Sequence, residues 1–118
     1  MKKLERVIIM NKAKISVIMG IYNSPNKEVV KYAIDSICNQ TFKEWEFVIC
    51  DDGSTDDTWD FLNKEYGTDK RFILIRNSEN SGLRVALNNC LKASNAEYVV
   101  RQDADDYSRK DRLSLIHI

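Results

Sequence analysis

Trp45-Glu46-Phe47-Val48-Ile49-Cys50-Asp51-Asp52-Gly53-Ser54-Thr55-Asp56-Asp57 is the stretch from which the fold can be read. Trp45 to Cys50 reads as a strand, and its centre, Phe47, Val48 and Ile49, is continuously apolar. A strand that is apolar on both faces belongs in a parallel sheet covered by helices. The run ends in an acidic loop, Asp51 to Asp57, which holds several candidate helix caps. A helix is predicted from Thr55 to Tyr66, carrying Trp59, Phe61 and Leu62, with Gly67 as its stop.

The same grammar extends in both directions. Ile15 to Met19, closed by Gly20, is a short β-branched run that reads as a buried strand. Tyr22-Asn23-Ser24-Pro25-Asn26 is turn chemistry. From Lys27 to Gln40 the apolar residues Val29, Val30, Ala33, Ile34, Ile37 and Cys38 recur at helical spacing. Downstream, Phe72 to Ile75 predicts a third strand, Asn77 to Gly82 a polar loop, Leu83 to Ala93 a helix and Tyr98 to Val100 a fourth strand. Asp103-Ala104-Asp105-Asp106 follows at once. The order β-α-β-α-β-α-β predicts an α/β protein with a mostly parallel, right-handed sheet flanked by helices. The loops after the first, second and fourth strands then share the carboxyl rim of the sheet, where open α/β proteins bind ligands.

The 118 residues suffice for one domain, and 43% apolar with 31% charged residues describes a globular chain. A formal net charge of zero gives no electrostatic reason to expect nucleic acid as a partner. No apolar run approaches the ~20 residues of a membrane span, and Val7 to Met10 is too short for a signal-peptide core. The expected location is cytoplasmic, free or peripheral to the inner face of the membrane. Cys38, Cys50 and Cys90 are odd in number and sit in apolar segments, so reduced core thiols are expected. One histidine, His117, leaves no zinc-site chemistry.

Two acidic clusters carry the candidate chemistry. Asp103, Asp105 and Asp106 repel one another unless a cation joins them, and hard divalent ions take one or two carboxylates plus substrate phosphates. The competing reading is a solvated turn in which Asp106 or Ser108 caps a following helix. Asp51 and Asp52 can accept hydrogen bonds from a base or a ribose, or can cap and complement the helix that follows. Tyr22 can stack on a nucleobase or pack ordinarily. Gly82, in Asn80-Ser81-Gly82, permits close approach of backbone to a ligand. There is no P-loop and no GxGxxG.

Together these segments resemble family 2 glycosyltransferases. Ser16 to Asn23 looks like their opening strand, and Ser36 with Gln40-Thr41 resembles their S-x-x-x-Q-T. Asp51 to Asp56 matches DDGSTD, Asn80-Ser81-Gly82-Leu83 with Ala86-Leu87-Asn88 matches N-x-G-L…A-L-N, and Asp103-Ala104-Asp105 matches DxD. Asp111-Arg112-Leu113 resembles the R-L element that follows. The resemblance covers Ile15 to Leu113 and implies a GT-A, Rossmann-like fold, truncated at the C-terminal side. It divides the chain into an N-terminal extension (1–13), a nucleotide-sugar-binding part (14–113) and a tail or truncated helix (114–118). It implies inverting transfer of a sugar from a nucleoside diphosphate sugar, commonly a UDP-sugar, to a glycan, lipid-linked or other hydroxyl acceptor. By the same resemblance Tyr22 lies against the base and Asp52 hydrogen-bonds it with Asp51 in support. Asp105 ligates Mn²⁺ or Mg²⁺, and Asp103 contacts the ribose or reaches the metal through water. The family's general base is expected beyond residue 118, and Gly20 stands where the family often has Pro or Thr.

Three other readings compete. A receiver-like domain needs an acidic pair after the first strand, where Tyr22-Asn23 stands. A sugar-1-phosphate nucleotidyltransferase needs a Gly-rich loop there. A non-catalytic nucleotide-binding fragment, lacking acceptor half and general base, is the alternative to an active enzyme.

Overall fold

The computed structural model describes residues 13–116. The expected N-terminal extension lies outside the described residues except for Ala13, as do His117 and Ile118. Four strands and three helices alternate: β1 (Ile15–Ile21), α1 (Lys27–Cys38), β2 (Trp45–Asp51), α2 (Thr58–Tyr66), β3 (Phe72–Arg76), α3 (Leu83–Ala93) and β4 (Tyr98–Arg101). A 3₁₀ turn, Leu113–Leu115, ends the described chain. The sheet is parallel throughout, in the order β3-β2-β1-β4.

Topology follows from handedness. The chain steps from β1 to β2 to β3 in one direction, then returns past β1 to lay down β4. Right-handed crossovers place helices on opposite faces when the direction of travel reverses. Accordingly α1 and α2 share one face, where Val30, Ile34, Ile37 and Leu62 pack with Val17, Met19, Phe47 and Ile49. On the other face, Ala86 and Cys90 of α3 meet Ile18, Val48 and Cys50. Every residue of β2 is buried, as its unbroken apolar centre predicts. The edge strands β3 and β4 are only partly covered. Complete burial of a residue such as Ile34 or Phe47 contributes about 1.5–3 kcal/mol each.

All four strands run one or two residues further than their apolar cores. The ladder pairs Ile21 with Asp51 and Asp51 with Arg76, so polar residues complete the carboxyl rim. At the opposite end, Ser16 Oγ donates to Glu46, and Glu46 accepts from both the backbone and side-chain nitrogens of Asn95. This polar knot ties the α3–β4 connection beneath the sheet. Cys50 and Cys90 are buried, Cys38 is half-buried, and all three are free thiols.

Gly20 explains its own departure from the usual residue. A Cβ there would stand 2.8 Å from Leu83 Cδ1 and 3.3 Å from Ala86 Cβ, so the absent side chain lets α3 lie close on β1. Gly20→Leu is expected to lower stability by about 1–3 kcal/mol through overpacking. Urea unfolding checks this, and an unchanged midpoint would contradict it.

Candidate functional site

The carboxyl rim is built from four loops, and its first organiser is Asp51. This fully buried carboxylate accepts through Oδ1 from Ser54 N at 3.0 Å and Ser54 Oγ at 2.5 Å. Ser54 Oγ in turn accepts from Asn23 N at 2.9 Å. Asn23 adopts a positive φ of 41°, a conformation Asn tolerates better than most residues. Its Oδ1 accepts from Thr55 N (2.8 Å) and Asp56 N (3.3 Å), and Ser24 N donates to Thr58 Oγ1 at 3.1 Å. The loop after β1 is thus laced to the loop after β2. The lacing also corrects the predicted start of α2. Thr55 and Asp56 donate their N–H groups to Asn23, so the helix begins at Thr58 instead of Thr55. Neither Asp51 nor Asp52 caps it. The N-cap is Asp57, whose side chain makes no capping bond, and Asp56 just before it accepts from Thr58 N at 2.9 Å and Thr58 Oγ1 at 2.6 Å. Asp51 Oδ2 remains buried without a hydrogen-bond donor, and Arg76 Nε stands 3.8 Å away.

Asp52, 3% exposed, organises the third loop. Oδ1 accepts from Asn77 Nδ2 (2.8 Å) and Ser81 N (2.9 Å), while Oδ2 accepts from Asn80 Nδ2 (3.1 Å) and Gly82 N (2.8 Å). Four donors occupy the roughly four lone-pair positions of a carboxylate. Desolvation pushes this carboxyl up, but the Asn77 amide and the Ser81 and Gly82 N–H groups outweigh it and hold it below the ordinary carboxylate range. Gly82 meets Asp52 through its N–H and opens α3 with φ 101°. Gly53, at φ 72°, lets this loop close, since a Cβ there would lie 2.4 Å from the Glu79 carbonyl carbon.

After β4, the Asp103–Asp106 segment forms a turn closed by Asp106 N on Asp103 O at 3.1 Å. Asp105 is exposed and, with Tyr22, walls a cleft of about 360 Å³ whose other sides include Gly20, Pro25, Val30 and Ala104. Tyr22 is 45% exposed. Asp103 does not line this cleft, and its Oδ1 accepts from Arg101 Nε at 2.9 Å. Among the described residues, no cluster of three or more His, Cys, Asp or Glu side chains could hold a metal ion. The chemistry still fits a hard cation, which needs only one or two carboxylates when substrate phosphates complete its shell.

The rim therefore brings Tyr22 and Asp105 into one cleft. Asp51, Asp52 and Gly82 lie on the same rim as supports of its loops, and Asp103 pairs with an arginine. No helix starts at Asp106 or Ser108. The Ser108 hydroxyl is instead buried, donating to Gln102 Oε1 at 2.6 Å, which overturns its reading as a helix cap. Gln102 and Ser108 went unread as site residues because only their partners in the folded chain reveal them. Ser36, Gln40 and Arg112 were visible only inside motifs.

This geometry defines a class: an open parallel α/β protein whose cleft lies between β1 and β4, where the strand order reverses, at the carboxyl ends of the strands. The sequence profile described as glycosyl transferase family 2 matches residues 16–116, and the chain belongs to that family. Over 93 residues it is 41% identical to the UDP-Glc:alpha-D-GlcNAc-diphosphoundecaprenol beta-1,3-glucosyltransferase WfaP of Escherichia coli, covering 79% of this chain and 36% of that protein. Among solved structures it is similar to S. aureus TarS 1-349 in complex with UDP-GlcNAc (34% identity, TM-score 0.77, covering 86% of this chain and 29% of that one). It is also similar to the mannosyltransferase PcManGT of Pyrobaculum calidifontis in complex with GDP-Man and Mn²⁺ (28% identity, TM-score 0.77, covering 87% and 31%). The fold is GT-A, and the chain spans about a third of the length of these relatives. Among the described residues no helix is long and apolar enough to cross a membrane.

Because its folded carboxyl is held low, Asp52 stabilises the protein above about pH 4, its unfolded value, and this stabilisation is lost as pH falls through the lower folded value. Asp52→Asn is expected to cost about 1–3 kcal/mol at pH 7 by leaving buried donors unpaired. The difference from wild type should narrow below about pH 4. A difference constant down to pH 3 in denaturant melts would contradict this assignment, taking about 4 as the ordinary carboxyl value.

Proposed function

We infer that this chain is the donor-binding part of a glycosyltransferase that moves a sugar from a nucleoside diphosphate sugar, a UDP-sugar as in the UDP-GlcNAc complex of the similar TarS structure, to an acceptor hydroxyl. The observation that carries the reading is the shared cleft of Tyr22 and Asp105 at the reversal point of the sheet. Tyr22 offers a ring face to the nucleobase, an interaction worth roughly 1–3 kcal/mol in nucleic-acid systems. Asp51 supports it by holding Ser54, and through Ser54 the Tyr22–Asn23 loop. Asp52 accepts from the base. Its four donors leave no free lone pair, so Asn80 Nδ2, the longest at 3.1 Å, yields to the base N–H. Gly82 acts through Asp52. Asp103 contacts the ribose hydroxyls or reaches the metal through water.

Asp105 is the carboxylate that would hold Mn²⁺ or Mg²⁺, which supplies Lewis-acid stabilisation of the charge on the departing diphosphate. The acceptor oxygen attacks the anomeric carbon opposite the diphosphate, forming the new glycosidic bond as the old C–O bond breaks, with inversion. The acceptor is a glycan, a lipid-linked sugar or another hydroxyl compound, and the work is done in the cytoplasm or at the inner face of the membrane. Among the described residues, Tyr22 and Asp105 are the only titratable side chains lining the cleft. The acceptor proton therefore goes to a base outside the cleft's own residues, and this observation favours a second reading, nucleotide binding without turnover by these residues alone. Sugar-transfer assays with several UDP-sugars, run beside binding titrations, separate the two.

Calorimetric titration with UDP, with and without Mn²⁺, tests the site. Asp105→Ala is expected to abolish the gain in UDP affinity that Mn²⁺ confers, while Tyr22→Ala weakens binding about tenfold in both conditions, as loss of roughly 1–3 kcal/mol of stacking requires. A full Mn²⁺ enhancement in Asp105→Ala would overturn the assignment.

A further inference from the structure

Asp105 sits on a turn that no regular element contains, so something must fix its direction. Two buried glutamines surround that turn. Gln102, 1% exposed, leaves β4 with its backbone N donating to Ile18 O at 2.9 Å. Its side chain then folds over the turn it precedes. Nε2 donates to Asp106 O at 2.5 Å, and Oε1 accepts from Ser108 Oγ and Arg112 Nη1, both at 2.6 Å. Arg112 Nη2 donates to Arg101 O at 2.7 Å and so grips the other flank. Gln40, fully buried at the end of α1, donates to Arg109 O at 2.5 Å and accepts from Leu113 N at 3.0 Å. Ser36 Oγ, on the same helix, accepts from Ser108 N at 2.9 Å.

We propose that Gln102 is the positioning residue of the Asp105 carboxylate: its amide spans the Asp103–Asp106 turn from inside, Arg112 and Ser108 hold that amide, and Ser36 ties Ser108 to α1. The inference deepens the donor-site reading and rests on it. Its logic is geometric. Val29 and Val30 of α1 line the cleft, and Ser36 of the same helix, with Gln40 just past its end, holds the segment that follows Asp105. One rigid helix therefore supplies a wall of the cleft and the anchor of the opposite carboxylate. The amide is not interchangeable with an acid. In Gln102→Glu, the oxygen facing Ser108 and Arg112 is kept, but the donor to Asp106 O becomes an acceptor, and two oxygens then face each other across the turn.

UDP titrations with and without MnCl₂, together with thermal melts, on wild type and Gln102→Glu test the proposal. The expected result is a loss of tenfold or more in the Mn²⁺-dependent gain, with UDP affinity in the absence of metal within about twofold of wild type, because the Tyr22 side of the cleft is untouched. Parallel losses with and without Mn²⁺ would show a merely structural role and overturn it, as would an unchanged gain. If Gln102→Glu does not fold, Arg112→Lys keeps the charge, removes the two-pronged grip and is read by the same criteria. A wild-type chain whose UDP affinity ignores Mn²⁺ would overturn the donor-site reading and this proposal together. Loss of the gain in Asp105→Ala but not in Gln102→Glu or Arg112→Lys would overturn this proposal alone.

Discussion

Two carboxylates buried side by side at the end of β2 are the constraint on which the rim depends. An ionised carboxylate taken out of water is costly unless hydrogen bonds replace its hydration. Asp51 and Asp52 point to different loops, and each loop is shaped by having to supply donors. Asp51 draws in Ser54, and Ser54 draws in the backbone of Asn23. Asp52 gathers two asparagine amides and two consecutive backbone N–H groups from the loop after β3. Loops without secondary structure of their own thus acquire fixed positions from one strand end. Gly53 between them is where chain must pass chain, and only glycine fits there.

The sheet decides where these loops open. Both neighbours of β1 are parallel to it, but one was laid down on the outward path and the other on the return. The segments leaving β1 and β4 both run onto the α1 face, and Tyr22 and Asp105 stand on the two sides of the cleft between them. The loop after β2 supports the Tyr22 side, and α1 anchors the Asp105 side through Ser36, with Gln40 just past its end. An aromatic face and a carboxylate held apart by rigid parts suit a ligand with a planar end and a charged middle, the shape of a nucleoside diphosphate.

Most of the fold was legible because it rests on local periodicity. The continuous Phe47-Val48-Ile49 run and the helical spacing from Val29 to Ile37 each report burial directly, and the structure places them as read. Boundaries were less legible where side chains compete with helix geometry. Thr55 and Asp56 look like helix starters but spend their N–H groups on Asn23, some thirty positions earlier. Ser108 looks like a cap and is a buried donor. Gln40 shows in the sequence only as part of a motif and Gln102 not at all, since their partners stand at Leu113 and Arg112 and no spacing rule links them. The acidic clusters announced a rim. They did not announce that Asp51 and Asp52 would be buried and hydrogen-bonded to their loops while Asp105 stayed exposed, because that difference comes from the third dimension alone.

Paramagnetic broadening in amide NMR spectra tests the account most directly. With UDP bound, small additions of Mn²⁺ should broaden the signals of Ala104, Asp105 and Asn23 first, leaving Glu46 and Asn95 at the far end of the sheet sharp. Broadening centred on Glu46 and Asn95, or spread evenly over the chain, would contradict the claim that the cleft between β1 and β4 gathers metal and nucleotide.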